Sequence, residues 1–364
     1  MDVINKQTYV SNALAVDLDY ILQQCRPLWD ELKDQSIFIT GGTGFIGTWL
    51  LETFAWANRV LQLNLNITVL TRNPERFSRK APHLFHDPSI AYLTGDVKNF
   101  VFPCGKFSYV IHGATEADAK LNQEHPQQML NTIVHGTQQT LKFAGEAQTE
   151  KFLLLSSGAV YGKQPPALSH IEEDYAGSPN VLDPQAAYAV GKVVAEHLCV
   201  LQAAQQKMAI KIARCFAFVG PYLPLDKHFA IGNFIRDGLQ NKTIQINGDG
   251  SPYRSYQYAS DLIVWLLHIL LKGKSCVPYN VGSDDAISIA DLAKAVAVNF
   301  TNPPAIQIAN KPNKNTLSER YIPSVQRAHD ELGLTNRVSL QQAISKTIHW
   351  HTTHSHQTSY AKAN

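Results

Sequence analysis

The apolar run Ser36-Ile-Phe-Ile-Thr40 leads directly into Gly41-Gly42-Thr43-Gly44-Phe45-Ile46-Gly47, and an amphipathic stretch follows. No other part of the chain narrows the choice of fold as sharply. Gly41, Gly44 and Gly47 recur every third residue, and Gly42-x-Gly44-x-x-Gly47 fits the same pattern. Glycine is needed here for three reasons. The turn is tight, the backbone must come close to a pyrophosphate, and the following helix must pack on the strand. The helix N-terminus then presents free N–H groups and partial positive charge to the anion. The segment predicts a dinucleotide cradle made by Gly41, Thr43, Gly44, Phe45, Ile46 and Gly47.

The rest of the chain keeps that rhythm. Short apolar runs at 36–40, 67–71, 91–93, 109–112, 152–156 and 210–215 alternate with helical stretches that include 45–57, 126–145 and 184–206. Runs apolar throughout suit strands buried on both faces, and strand–helix alternation predicts an α/β fold with a doubly wound parallel sheet. With 364 residues, two units of roughly 150 residues fit the length. Residues 36–216 read as the dinucleotide-binding domain, to which 255–282 return. Beyond 216 glycine and proline become frequent, and 217–254 with 283–350 read as a smaller mixed α/β lobe. Residues 1–35 read as a helical extension, with Leu14, Leu18, Ile21, Leu22 and Leu28 near helical spacing, and 351–364 as a polar, frayed tail.

The end of the second strand distinguishes the two dinucleotides. An Asp or Glu there holds a ribose 2′-hydroxyl. This chain has Thr71-Arg72, a hydroxyl and a guanidinium that suit a 2′-phosphate. NADP is therefore expected over NAD, the alternative being that Arg72 only solvates a loop also carrying Arg76, Arg79 and Lys80. Asp96-Val97, after a later strand, is placed to meet the adenine.

Tyr188-Ala-Val-Gly-Lys192 sets a phenol and an ammonium four residues apart, on one face of a helix. A free tyrosine titrates near 10. Exchanging a proton near neutrality requires a nearby cation, which Lys192 supplies. Ser157 follows the strand 152–156, at the end where such sheets bind ligands. There it hydrogen-bonds a reacting oxygen, or else caps a turn.

The remaining composition argues mainly by exclusion. Thirty-two basic against 30 acidic residues leave a net charge of +2, with no excess pointing to a nucleic acid or an acidic membrane. The longest apolar run, 262–271, is half a membrane span and contains His268. The N-terminus has no signal-peptide pattern. Five scattered cysteines, none in a Cys-x-x-Cys pair, read as reduced, buried thiols in a cytoplasmic protein. No metal site is expected, and His349, His351, His354 and His356 fall in the tail.

The glycine turn, Ser157 and Tyr188-x-x-x-Lys192 together resemble the extended short-chain dehydrogenase/reductases, most closely their nucleotide-sugar epimerase and dehydratase branch. The resemblance spans about residues 36–350 and implies a Rossmann-type sheet. It makes Ser157, Tyr188 and Lys192 catalytic, with Lys192 also holding the cofactor. Val110-Ile-His112-Gly-Ala114 resembles the strand end beneath the cofactor, with His112 equally suited to packing. The stretch Asn247 to Asp261 resembles the segment whose arginine, here Arg254, grips a nucleotide diphosphate. Tyr279-Asn-Val-Gly282 and Arg320-Tyr321 resemble further landmarks. Arg254, Arg320, Asn233 and Ser157 are the implied substrate contacts. The implied substrate is a nucleotide-diphosphate sugar exchanging hydride with the nicotinamide at C4′, and dimerisation through helices 126–145 and 184–206 is implied as well.

Two departures bear on the reaction. The 4,6-dehydratases carry Asp-Glu after the Ser157 position, where this chain has Gly158-Ala159; Glu172, Glu173 and Asp174 are the nearby substitutes. Ala217 stands where an asparagine is common. The expectation is NADPH-dependent reduction of a 4-keto sugar nucleotide. The alternatives are a 4-epimerase, a dehydratase with other acid–base residues, and a non-catalytic NADP-binding sensor or scaffold.

Overall fold

Alternate residues of a strand face opposite ways, so a strand apolar at every position needs cover on both sides. In the computed structural model, which describes residues 12–115, 119–227, 229–311 and 317–359 (355–359 as backbone alone), that cover is present. Seven strands, β1 (Ser36–Thr40), β2 (Asn66–Thr71), β3 (Ile90–Thr94), β4 (Tyr109–His112), β5 (Lys151–Ser157), β6 (Ala209–Cys215) and β7 (Pro278–Val281), form one parallel sheet. Their order is β7-β6-β5-β4-β1-β2-β3. The principal helices are α1 (Ala15–Gln24), α2 (Phe45–Leu61), α3 (Pro74–Lys80), α4 (Pro126–Glu146), α5 (Ala187–Gln205), α6 (Ala230–Leu239), α7 (Ala259–Lys272), α8 (Ile289–Ala297) and α9 (Leu340–Ser359).

Ile37, Ile39, Ile67, Val69 and Leu153 pack on one face of the sheet against α1, α2 and α7. Phe38, Val110, Phe152 and Leu154 pack on the other against α4 and α5, where Phe38 and Phe143 bring their ring centroids to 4.4 Å. The doubly wound parallel sheet read from the sequence is thus the observed one, and Pro278–Val281 joins it beside β6. Leu262–Leu267 of α7 are fully inside this core, and no helix among the described residues is long and apolar enough to cross a membrane. The smaller lobe has its own core of Ile231, Phe234, Leu292, Val296 and Ile344, from α6, α8 and α9. In that lobe Tyr253–Arg254 lies between Ile287–Ser288 and Arg320–Tyr321 in a three-stranded sheet.

The N-terminal extension is part of the fold. Leu18, Ile21, Leu28 and Leu32 are completely buried. Asp17 accepts from the Tyr258 hydroxyl at 2.8 Å and from Lys346 of α9 at 2.7 Å. Tyr20 donates to Asp261 and Trp56 to Asp19. These contacts tie α1 to the sheet's helices and to the smaller lobe together. At the other end, helix α9 continues to Ser359, through the stretch read as tail, and residues 360–364 lie outside the described residues. The thiols need one correction. Cys25, Cys199 and Cys215 are buried and unpaired, but Cys276 is half-buried and Cys104 exposed, because it sits in the turn around Gly105.

Leu18→Ala removes a fully buried side chain from this seam. It is expected to cost about 3 kcal/mol, read as a lower urea midpoint at unchanged slope. A loss below about 1 kcal/mol would mean that α1 is not packed as described.

Candidate active site

All seven strands end on one edge, and the strand order reverses between β1 and β4, where α/β sheets bind ligands. The glycine turn lies in this crevice. Gly41 adopts φ +75°, and a Cβ on it would come within 2.6 Å of the Gly113 carbonyl group. A Cβ on Gly47 would collide with the Gly41 oxygen. The turn therefore lies flat on the strand ends. Gly44 is exposed at the start of α2, whose first amides have no intrahelical acceptor. This is a cradle shaped for an anion, and it fits a dinucleotide diphosphate.

Thr40, not singled out in the sequence, organises the rear of the crevice. Its hydroxyl accepts from the Gly113 and Ala114 amides at 3.2 Å and contacts His112 Nδ1 at 2.8 Å. Thr137 gives its proton to the Ile133 carbonyl, so it accepts from His112 Nε2 at 3.1 Å. His112 is accordingly neutral, and burial pushes its pKa down to about 3. Both ring nitrogens are engaged within the protein, and the ring serves as packing while the 113–114 backbone lines the turn. Val97 is wedged against Gly136 of α4, and Asp96 accepts from the Lys98 amide. Thr71 is buried at the end of β2 and Arg72 is exposed beside it.

Lys80 is the larger omission. From the end of α3 its ammonium donates to the Thr43 carbonyl at 3.0 Å and the Thr48 hydroxyl at 2.9 Å, fastening the glycine turn from outside. It also lies over the Tyr222 ring. Burial, with Arg76 adding to it, lowers its pKa to about 8. Its distance of more than 30 residues from the turn hid it among the basic residues of a loop.

Ser157, Tyr188 and Lys192 come together at the end of β5. Ser157 caps a short 3₁₀ turn by accepting from the Ala159 amide, and its hydroxyl lies near enough to the Tyr188 phenol to lower its pKa. Asn122 anchors the start of α5 by accepting from the Tyr188 amide. Lys192 donates to the Leu155 carbonyl at 2.8 Å and to Thr115 at 3.3 Å, with Nζ 5.8 Å from the centre of the Tyr188 ring. Here the structure departs from the expected acidic phenol. Burial pushes Tyr188 up to about 12, against a smaller lowering by Ser157. Burial also brings Lys192 down to about 8. The ammonium is directed at backbone, so desolvation outweighs its attraction.

A second phenol belongs to this group. Tyr321 lies close to Ser157 and feels both Tyr188 and Arg254. Its ring packs on Phe216 with centroids 4.7 Å apart. Phe216 in turn covers Gly158, where a Cβ would lie 2.6 Å from the ring. Among the described residues no carboxylate is among the groups that shift Tyr188. Glu173 instead accepts from the Asn280 amide, and Asp174 pairs with Arg327; Glu172 is exposed.

The remaining candidates separate. Arg254 pairs in register with Tyr321, so the two share a face of the small sheet. Arg320 pairs with Tyr253 and stacks its guanidinium on that ring at 4.6 Å, on the opposite face. The structure thus does not bring Arg320 to Arg254, because neighbouring positions on a strand point apart. Asn233 lies on α6, its carbonyl oxygen taken by Arg236. Among the described residues no cluster of His, Cys, Asp and Glu could hold a metal.

A phenol, a serine and a buried lysine gathered at the switch point of such a sheet define an enzyme of the extended short-chain dehydrogenase/reductase type. A profile of the NAD-dependent epimerase/dehydratase family matches residues 37–282, and the chain belongs to that family. It is 28% identical over 319 residues to UDP-glucuronic acid decarboxylase 4 of Arabidopsis thaliana, covering 87% of this chain and 69% of that one. With UDP-glucuronic acid decarboxylase 1 of Xenopus tropicalis it shares 27% over 319 residues, 87% of this chain and 72% of that one. Its fold is similar to that of the UDP-glucuronic acid 4-epimerase of Bacillus cereus, solved with UDP-glucuronic acid and NAD (TM-score 0.73, 21% identity, 88% and 99% covered). The dTDP-glucose 4,6-dehydratase of Bacillus anthracis, solved with NAD, is comparably similar (TM-score 0.73, 18% identity, 90% and 100% covered).

Lys80 carries its charge below about pH 8 and loses it above. Dinucleotide affinity is expected to fall roughly three- to tenfold between pH 7 and 9, measured by titration calorimetry. In Lys80→Gln that pH dependence should shrink, leaving only what Lys192 contributes; an unchanged slope would remove Lys80 from the cradle.

Proposed function

We propose that this enzyme reduces a 4-keto group on a nucleotide-activated hexose, using NADPH. The observation that carries the reading is the state of Tyr188: half-buried against the core, shifted up to about 12 by desolvation and acted on by no carboxylate among the described residues. Such a phenol keeps its proton at neutral pH and is suited to giving it away. When bound, the nicotinamide supplies a hydride to C4′. As the carbonyl carbon is reduced, Tyr188 gives its proton to O4′ and Ser157 orients that oxygen. Lys192, still protonated at neutral pH, balances the phenolate left behind. Arg254 takes the diphosphate, for which a guanidinium is suited, and the amide of Asn233 donates to a phosphate oxygen. Arg72 and Thr71 favour the 2′-phosphate of NADP. Elimination is disfavoured because Phe216 fills the space over Gly158.

A second reading has support of its own. The likeness to UDP-glucuronic acid decarboxylases favours a redox-neutral cycle on a UDP-hexuronic acid, with the cofactor retained. That cycle has Tyr188 begin as a base. Five unpaired thiols suit a reducing, cytoplasmic compartment. We also propose a homodimer through α4 and α5, because Val193, Val200 and Leu201 leave apolar surface on α5 exposed.

Purified enzyme given 4-keto and 4-hydroxy sugar nucleotides is expected to oxidise NADPH stoichiometrically with the keto substrate, and NADH more weakly. Turnover of UDP-glucuronic acid without NADPH loss would favour the second reading. Tyr188→Phe should lower kcat about a hundredfold or more while dinucleotide binding stays intact; an unchanged rate removes Tyr188 from its role. Light scattering should give twice the 40.4 kDa of one chain, and a monomer would refute the dimer.

A further inference from the structure

Aromatic rings wall the space beside the Ser157 turn. Phe216 directly follows β6, at the ligand-binding edge of the sheet. Its ring packs on Tyr321 with centroids 4.7 Å apart and lies 6.3 Å from Tyr161. It sits so close to Gly158 that a Cβ there would fall 2.6 Å from the ring. Positions 158 and 216 therefore exclude one another, because a side chain at 158 needs the volume that this ring fills. The polar groups nearby are spent inside the protein. Arg214 donates to Glu196 at 2.8 Å and to the Glu173 carbonyl at 3.0 Å. The Tyr161 hydroxyl donates to Asn280 at 2.7 Å and accepts from Arg214 at 2.9 Å. Ala217, next along the chain, has no polar side-chain atom. Phe216 and Tyr321 are only half-buried, which leaves ring surface open to a ligand.

We propose that Phe216 is a specificity-determining residue and that the substrate carries a methyl group at C6′, making it a 6-deoxy sugar nucleotide. The inference rests on the placement of O4′ at Ser157 and Tyr188 proposed above. With O4′ there, Gly158 and the ring over it lie against a carbon bonded to C4′. Two carbons meet that description: C3′, which bears a hydroxyl, and C5′, which bears C6′. An aromatic wall offers a hydroxyl or a carboxylate no partner, and burying either without one costs free energy. A methyl group loses nothing there and gains the apolar contact. Of the two flanking substituents, only C6′ becomes a methyl by losing its oxygen. A C6′ carboxylate would need a cation in the same place. Arg214 could supply one only by leaving Glu196, and Arg327 is paired with Asp174. Arg254, on the Tyr321 face of the small sheet, is the group assigned to the diphosphate. The ring at 216 thus separates the two readings of the reaction, since it suits a 6-deoxy sugar and rejects a hexuronic acid.

The test measures sugar-nucleotide binding to the full-length protein by titration calorimetry with NADP⁺ present. Three sugars alike except at C6′ (methyl, hydroxymethyl and carboxylate) are each offered on uridine, thymidine, guanosine and cytidine diphosphate. On whichever nucleotide binds best, the methyl sugar should bind about tenfold more tightly than the hydroxymethyl sugar and about a hundredfold more tightly than the carboxylate. In Phe216→Ser the pocket gains room and a polar group. The preference for methyl over hydroxymethyl should then fall to about threefold or less, while the nucleoside diphosphate alone binds as before. Phe216→Leu, still apolar, should keep the preference. Wild-type protein that holds the hydroxymethyl or carboxylate sugar as tightly as the methyl one would overturn the proposal, and that ranking needs no variant to fold. An unchanged preference in Phe216→Ser would remove Phe216 from its role. Binding of no sugar at all would overturn the proposal and the proposed function together. NADPH oxidation, followed separately, reports on the reaction. A methyl preference without reduction of the 4-keto-6-deoxy sugar would count against the proposed function and leave the C6′ pocket standing.

Discussion

The Cα of Gly41 lies against the Gly113 carbonyl, closer than any side chain permits, and the rest of the site depends on that backbone contact. It brings the ends of β1 and β4 together at the point where the strand order reverses. Thr40 locks the contact by accepting the amides of Gly113 and Ala114 and holding His112 in the seam behind. From this junction the chain continues to Thr115, which meets Lys192. The cradle and the proton-handling residues are therefore not two independent features. Any displacement of the β4 end moves both.

Burial controls the chemistry more strongly than charge pairing does. Desolvation raises Tyr188, lowers Lys192 and lowers Lys80. In each case it disfavours the charged form, as removal from water must. The site is consequently poised with Tyr188 protonated. The carboxylates nearest in sequence serve other ends: Glu173 with the Asn280 amide, and Asp174 with Arg327. The aromatic pair Phe216 and Tyr321 fills the volume above Gly158 and adds a hydroxyl to the Ser157 neighbourhood.

Legibility in the sequence followed the range of each interaction. The strands 36–40 and 109–112 were readable to the residue, and the helices 126–145 and 184–206 to within a few residues, because burial on both faces and helical periodicity are local patterns. The glycine turn, Ser157 and Tyr188-x-x-x-Lys192 were legible for the same reason. Arg320 was grouped with Arg254, yet strand register turns them to opposite faces. Tyr321, one residue later, reads only as a landmark in the sequence, though its ring packs on Phe216 over Gly158 beside the Ser157 turn. Lys80 and Thr40 carried no local signal. The N-terminal extension showed a helical apolar stripe, but its buried ties from Asp17 to Tyr258 and Lys346 join residues more than 240 positions apart.

The amino-acid order alone therefore determined the layered α/β architecture, the turn that admits a diphosphate, and the pairing of a phenol with an ammonium on one helix. Each of those depends on spacing within a few residues. The tertiary structure decided which way the proton-bearing groups lean, which arginine faces the cleft, and which lysine fastens the turn. Those outcomes depend on desolvation and on register between distant strands, and both arise only when segments far apart in the chain exclude water from one another.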